Sequence, residues 1–152
     1  MLKDDGDIIR GVGYVAIYGA YTEEAIEDLL RMLHPVTPFT EKEQRWPISR
    51  QIKHAIEIVK TTRFETQEDL LRILDACLRA FEWRNEIIHG RIYGGADRSD
   101  DLKSGRPGVP DRKVESAELY ELANWFSDLS GEVARPTIFK IPRFLATYKK
   151  PD

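Results

Sequence analysis

The stretch that decides the fold is residues 66–89, TQEDLLRILDACLRAFEWRNEIIH, which is followed by Gly90. Thr66 can cap the start of a helix, with Asp69 three residues later, and Gly90 is a natural stop. The apolar residues recur every three or four positions, as on one face of an amphipathic helix. They are Leu70, Leu71, Leu74, Cys77, Leu78, Phe81 and Ile88. The pattern predicts one long helix.

Three other segments show the same periodicity and predict helices over about 7–33, 47–60 and 116–133. The intervening segment 94–112 is rich in Gly, Asp, Arg, Ser and Pro, which predicts a long loop before the last helix. Strand patterns are almost absent. Residues 134–152 place prolines between apolar residues, which predicts an extended C-terminal arm that docks on its own core or on a second subunit.

The length and composition fit one domain with a sizeable core. The chain has 152 residues, of which 41% are hydrophobic and 32% are charged. With the four periodic segments, these values predict an all-α domain over residues 1–152. We expect an antiparallel helical bundle of four main helices, with the loop before the last helix and the arm over 134–152.

The charge is distributed unevenly. The net charge is −3, which argues against a protein that coats nucleic acid by bulk electrostatics. Residues 91–113 carry six basic and four acidic side chains, and residues 134–152 carry five basic and one acidic. A basic surface beside the end of the 66–89 helix would suit a polyanionic ligand, although solvated tails often have the same composition.

The expected compartment is the cytoplasm. No apolar run approaches the roughly 18–20 residues that a membrane span requires, and residues 1–6 lack the apolar centre of a signal peptide. The single cysteine, Cys77, excludes an internal disulfide and a thiolate metal cluster. His34, His54 and His89 have no second ligand at metal-binding spacing. We therefore expect no metal, no cofactor and no membrane partner.

The residues that suggest chemistry are Arg84, Asn85 and His89, near the end of the 66–89 helix. An arginine is permanently charged and suits phosphate, whereas a histidine can transfer protons near neutral pH. At 100° per residue, Asn85 and His89 lie about 40° apart, and Arg84 lies about 140° from His89. All three can line a wide groove. The alternative is a surface arginine followed by a histidine that helps to end the helix.

Cleavage of RNA without a metal needs a base for the 2′-hydroxyl, an acid for the leaving 5′-oxygen and cations for the phosphorane. One chain supplies one arginine and one histidine in this motif. A two-fold axis past the ends of two such helices would supply two of each. A nuclease site built from these residues should therefore be composite and lie in a homodimer.

The motif R-N-x-x-x-H-G near the end of a long helix resembles the HEPN superfamily (higher eukaryotes and prokaryotes nucleotide-binding). The defining pattern of that superfamily is an arginine, four to six residues and a histidine, often with a polar residue after the arginine. Arg84, Asn85 and His89 match it, and residues 13–30 resemble the first helix of such domains. The resemblance covers about 1–133 by helix order.

The resemblance implies a dimeric, metal-independent endoribonuclease that acts as a toxin or in phage defence, with a cognate antitoxin or inhibitor as a further partner. Arg84 would stabilise the phosphate, His89 would act as general acid or base, and Asn85 would orient the histidine or the phosphate. Some members only bind nucleotides, RNA or proteins, which is the main alternative. A third interpretation is an antitoxin or immunity partner.

Two residues after the motif are candidate substrate contacts, Arg91 and Tyr93. In HEPN toxins paired with a nucleotidyltransferase antitoxin, a tyrosine usually follows the histidine by two positions and accepts the nucleotide. This chain has Arg91 there, so control by that modification is not expected. Tyr93 can stack on an RNA base, or it can pack as a loop aromatic over the bundle.

Overall fold

The computed structural model describes residues 1–94, 100–103, 105 and 107–151, and this part of the chain is mostly helical with one small sheet. The helices are α1 (Ile8–Met32), α2 (Glu41–Gln44), α3 (Ile48–Thr61), α4 (Gln67–His89), α5 (Ser116–Phe139) and α6 (Ile141–Thr147). The strands are β1 (Arg91–Gly94), β2 (Asp100–Lys103) and β3 (Arg112–Val114).

The four helices predicted from periodicity are confirmed as α1, α3, α4 and α5. For α1, α3 and α4, both the first and the last residue lie within about two positions of the prediction, because local features define the boundaries of these helices. The Asp7 carboxylate accepts a hydrogen bond from the backbone N–H of Arg10 at 2.9 Å and caps α1. Pro47 precedes α3, and Gly90 follows α4.

Helices α1, α4 and α5 surround one apolar core, and α3 packs mainly against α4. Along α1, Gly11 lies beside Leu119 and Gly19 lies beside Phe126, so α1 and α5 run in the same direction. Helix α4 runs opposite to α5, because the Phe81 and Phe126 rings are 4.9 Å apart and Lys140 reaches Glu65. The wholly antiparallel arrangement expected from the sequence is therefore wrong for the α1–α5 pair.

The prediction of a loop without strands over 94–112 is wrong for the described residues. They include β2 and the first residue of β3, which complete an antiparallel sheet in the order β1-β2-β3. The sheet covers the end of α4 with one side chain per strand, and Ile92, Leu102 and Val114 pack on the helical core. Residues 95–99, 104 and 106 of the predicted loop lie outside the described residues.

The prediction of an extended arm after residue 133 is also wrong. Helix α5 continues through Pro136 to Phe139, and the Thr137 hydroxyl donates to the Val133 carbonyl at 2.8 Å. Helix α6 follows, and Ile141 is fully buried in the core. Docking on the chain's own core is thus confirmed, but the segment docks as helix because its apolar residues lie one turn apart.

None of the helices in the described ranges is both long enough and apolar enough to span a membrane.

Candidate functional site

The side chain of Arg84 is held between α4 and α1. Its Nη1 donates to the Glu23 Oε1 atom at 2.5 Å, and its Cζ atom lies 4.9 Å from the centre of the Phe81 ring. The arginine stem packs on Gly19, where a Cβ atom would lie 3.2 Å from Arg84 Cδ. A glycine at position 19 therefore leaves the space through which the guanidinium reaches Glu23.

The arginine retains unused hydrogen-bonding capacity. Its side chain is 20% exposed, and its Nε atom is buried without an acceptor among the described residues. A buried donor without a partner costs about 1–3 kcal/mol. The alternative of a surface arginine is therefore not what the structure shows, because Arg84 pairs with a carboxylate of its own chain.

His89 is the last residue of α4, and its imidazole is exposed with no hydrogen-bond partner in the described ranges. Asn85 lies one turn earlier, half-buried, and its side-chain amide likewise meets no partner in the described part of the chain. The structure thus places Arg84, Asn85 and His89 on one helix end without direct bonds among them. The expected orientation of His89 by Asn85 is absent in the single protomer.

The end of α4 lies along the first half of α1. Arg84 is level with Gly19 and Glu23, whereas Ile92, just beyond α4, shares a cleft with Ile8 and Val12. The chain from Arg84 to Ile92 therefore runs opposite to α1. His89 lies between these two points and is therefore level with the first half of α1, between Val12 and Gly19.

Arg91 and Tyr93 alternate with the inward-facing Ile92, so both side chains lie on the outer face of β1, where both are exposed. In the register of the sheet, Arg91 pairs with Lys103 and Tyr93 pairs with Asp101. Two of the predicted substrate contacts thus share a solvent-facing surface that begins two residues after His89.

The pairing of Arg91 with Lys103 places two cations directly opposite each other, which is unfavourable unless an anion lies between or near them. Lys103 has a distant carboxylate, Asp111, at 3.8 Å, and Arg91 forms no ion pair within the described residues. Lys103 was not singled out from the sequence. Only strand register could have revealed it, and β2 carries too few apolar residues to be recognised.

A second ion cluster fixes the sheet to the helices. Arg112 of β3 donates to Glu86 of α4 at 2.6 Å and to both carboxylate oxygens of Glu118 of α5. The Trp83 indole also donates to Glu118 at 2.7 Å. Burial raises the pKa of Glu118, but the hydrogen bonds from Arg112 and Trp83 outweigh it and leave that pKa below its ordinary value. The two carboxylates raise the pKa of Arg112.

The basic C-terminal segment does not lie beside the motif. Lys140 pairs with Glu65 at 3.0 Å, and the Phe144 ring lies 6.1 Å from that of Phe64, so α6 adjoins the start of α4. Helix α4 has 23 residues and is roughly 34 Å long at 1.5 Å per residue. The hypothesis of a basic surface at the motif therefore holds only for residues of the sheet.

No group of three or more histidine, cysteine or carboxylate side chains that could hold a metal occurs within the described ranges. His34 accepts a hydrogen bond from the backbone N–H of Phe39 at 3.0 Å, and the His54 ring lies edge-on to Trp46. Both contacts are structural.

Comparison with protein-family models, with curated proteins and with solved structures finds no match for this chain. The assignment of a function therefore depends on the chain's own residues.

Proposed function

We propose that this chain is a metal-independent endoribonuclease of the HEPN type that cleaves RNA at a composite site in a homodimer. One observation carries the proposal. A pre-positioned arginine, Arg84, and an exposed histidine, His89, lie on the same helix end, and among the described residues the Arg84 Nε atom and the His89 imidazole have no hydrogen-bond partner. In this proposal α1, α3, α4 and α5 are the four main helices of a HEPN-type bundle, with α1 and α5 side by side in the same direction.

The proposed chemistry uses two copies of His89. One imidazole removes the proton of the 2′-hydroxyl, whose oxygen attacks the phosphorus. The other imidazolium protonates the 5′-oxygen as its bond to phosphorus breaks, which leaves a 2′,3′-cyclic phosphate and a 5′-hydroxyl. Arg84 neutralises the charge that develops on the phosphorane oxygens, and Asn85 donates a hydrogen bond to the phosphate or to the histidine.

The sheet supplies the proposed binding surface. Arg91 and Lys103 stand opposite each other on its outer face, and a phosphate between them removes their mutual repulsion. Tyr93, two residues from Arg91, is 48% exposed and offers a ring on which a base can stack. The RNA strand would thus extend from the end of α4 along β1.

The experiment that tests the proposal is cleavage of labelled RNA by purified protein in the presence of a metal chelator. We expect cleavage by the wild type and a loss of at least about 100-fold in both Arg84→Ala and His89→Ala. Arg79→Ala is the matched control, because Arg79 is an exposed arginine of the same helix that pairs with Asp75. Full activity of either motif variant contradicts the catalytic role.

A second candidate function is a non-catalytic module that binds nucleotide, RNA or protein. The ion pair between Arg84 and Glu23 favours it, because a carboxylate already occupies part of the site where a phosphate would bind. If the wild type, at stoichiometric amounts, leaves both structured and single-stranded RNA intact, the binding function is the correct one.

The proposed biological setting is a cytoplasmic toxin or phage-defence effector with a cognate antitoxin or inhibitor protein. Overproduction in cells distinguishes this setting from that of an antitoxin or immunity protein. A toxin arrests growth, and the arrest is absent in His89→Ala. Protection of the cells by the wild-type chain would contradict the proposed setting.

A further inference from the structure

Helix α1 exposes an apolar surface, which we call the α1 face. Its three large side chains are far more exposed than core residues, with Ile9 at 84%, Ile17 at 50% and Tyr21 at 54%. Three small residues, Gly13, Ala16 and Ala20, lie between them. At 100° per residue all six fall within about 140° of one another on the helix surface. The α1 face is therefore one continuous strip.

The α1 face lacks the charges that a solvated helix normally carries. Residues 11–22 contain no Asp, Glu, Lys or Arg. The solvent-facing side of a surface helix is usually charged or polar, and contiguous exposed apolar patches mark interaction sites. Ile88 of α4, which is 39% exposed, lies level with this stretch. Exposure of this apolar strip to water is therefore unfavourable.

The centre of the α1 face allows a second helix to approach closely. Among the described residues, a Cβ atom built on Gly13 would meet nothing within 4 Å. Glycine inside a helix costs about 1 kcal/mol relative to alanine. Gly11 and Gly19 have an explanation inside the protomer, because α5 and Arg84 pack on them. For Gly13 the described part of the chain offers no such explanation.

We propose that the α1 face is the surface on which a second copy of this chain packs, with the two α1 helices antiparallel about a two-fold axis near Ala16 and Ile17. In this register the side-chain sizes on one α1 helix complement those on the partner's α1 helix. Gly13 lies opposite the partner's Ala20, and Ala16 lies opposite the partner's Ile17. A surface that complements itself favours a second copy over an unrelated protein.

The charges that flank the α1 face favour the antiparallel direction. Arg10, which also pairs with Asp5 and Asp7 of its own chain, lies at its start, and Glu24 lies at its end; both are exposed. An antiparallel pair brings each Arg10 within one residue of the partner's Glu24, whereas a parallel pair would place like charges together. Opposite charges at the rim fix register and orientation more than they add affinity.

This interface adds the geometry of the dimer to the proposed function. Its consequence for the composite site rests on that function. His89 is level with the first half of α1, between Val12 and Gly19, so a two-fold axis near Ala16 places both copies of His89 near the level of the axis, on the same side of the helix pair. The composite site then lies over the α1 pair, and the sheets extend from it in opposite directions.

The test is the mass of the full chain in solution, measured by sedimentation equilibrium. We expect a dimer for the wild type. Gly13→Lys should raise the dissociation constant by about 100-fold, because it buries like charges without partners at the interface. Ala20→Glu should do the same. The double variant Gly13→Lys/Ala20→Glu should restore the dimer, since each lysine then faces the partner's glutamate.

The matched control is Glu57→Lys on α3, since the Glu57 side chain is 70% exposed and α3 packs mainly against α4, away from the α1 face. It should remain dimeric, and all variants should keep the helical circular dichroism of the wild type. A monomeric wild type, or a dimer that Gly13→Lys leaves intact, overturns the interface. Failure to restore the dimer in the double variant overturns the antiparallel register.

The outcome for the interface is separable from that for the nuclease. A dimer that Gly13→Lys dissociates, together with inert wild-type protein in the RNA assay, supports the interface and contradicts the nuclease. Full cleavage by monomeric Gly13→Lys protein would contradict the composite site.

Discussion

The guanidinium of Arg84 is bonded to the carboxylate of Glu23 across the contact between α4 and α1, with 2.5 Å between Nη1 and Oε1. The pair occupies the place where the proposed mechanism needs a phosphate. RNA binding would therefore replace the Glu23 carboxylate with a phosphate at the Arg84 guanidinium, and Glu23 would compete with the substrate.

The first prediction concerns this pair. We expect the coupling free energy between Glu23 and Arg84 to be about 0.5–1 kcal/mol, because the Glu23 side chain is 38% exposed and water screens the interaction. A double-mutant cycle with Glu23→Gln and Arg84→Met, measured by urea unfolding, gives this value. Glu23→Gln should also increase RNA affinity. A coupling of zero would show that the pair does not form in solution.

The second prediction concerns the cations opposite each other on the sheet. Arg91→Gln and Lys103→Gln should each weaken RNA binding and reduce the slope of log K against log salt by about 0.7, the value for one phosphate contact on a single strand. Lys149→Gln should leave the slope unchanged, because Lys149 follows α6, which adjoins the start of α4. Equal effects in all three variants would indicate binding by overall charge alone.

The third prediction is a pH dependence of stability. The pKa of Glu118 is lower in the folded chain than its ordinary value of 4.5. Its contribution is therefore fully present above about pH 5 and is lost as the pH falls through the folded pKa. Arg112→Leu should reduce the loss of stability below pH 5, measured as the free energy of unfolding in urea. Lys60→Leu, which removes the exposed pair with Glu57, should not change the profile.

The fourth prediction tests the packing of the sheet on α4. A Cβ atom on Gly90 would lie 2.3 Å from Leu102 Cδ1 and 2.9 Å from the Glu86 carbonyl oxygen. Gly90→Ala should therefore destabilise the fold by about 1–3 kcal/mol. Gly94→Ala is the control, since none of the described residues comes within 4 Å of its Cβ position, and it should stay within about 0.5 kcal/mol. Similar values for both variants would mean that Leu102 does not pack on α4.

The helices could be predicted because the residues that specify a helix lie within a few positions of one another in the sequence. A stripe such as Leu70, Leu74, Cys77 and Phe81 repeats over several turns, and a helix satisfies its own backbone hydrogen bonds. The sheet could not be predicted in this way. Each strand contributes one inward residue, Ile92, Leu102 or Val114, and its hydrogen-bond partners come from other segments.

The candidate site likewise contains some residues that could be predicted from the sequence and others that could not. Arg84 and His89 stand out because a charge interrupts an apolar stripe and a histidine ends a helix. Glu23 could not be found from the sequence, because it lies 61 positions from Arg84 and is one of several acidic residues over 23–28 of α1. The direction of α1 relative to α5 could not be predicted either. Periodicity indicates which side of a helix is buried, but it does not indicate which other helix packs there.

The parallel pairing of α1 with α5 has a consequence for biosynthesis. The Thr22 hydroxyl donates to the Phe126 carbonyl at 2.9 Å, and the two residues are 104 positions apart. A ribosome that has released α1 must therefore translate most of the chain before α5 emerges. Until then the side of α1 that packs on α5 is open to water, and nascent chains on adjacent ribosomes are exposed to premature association through it.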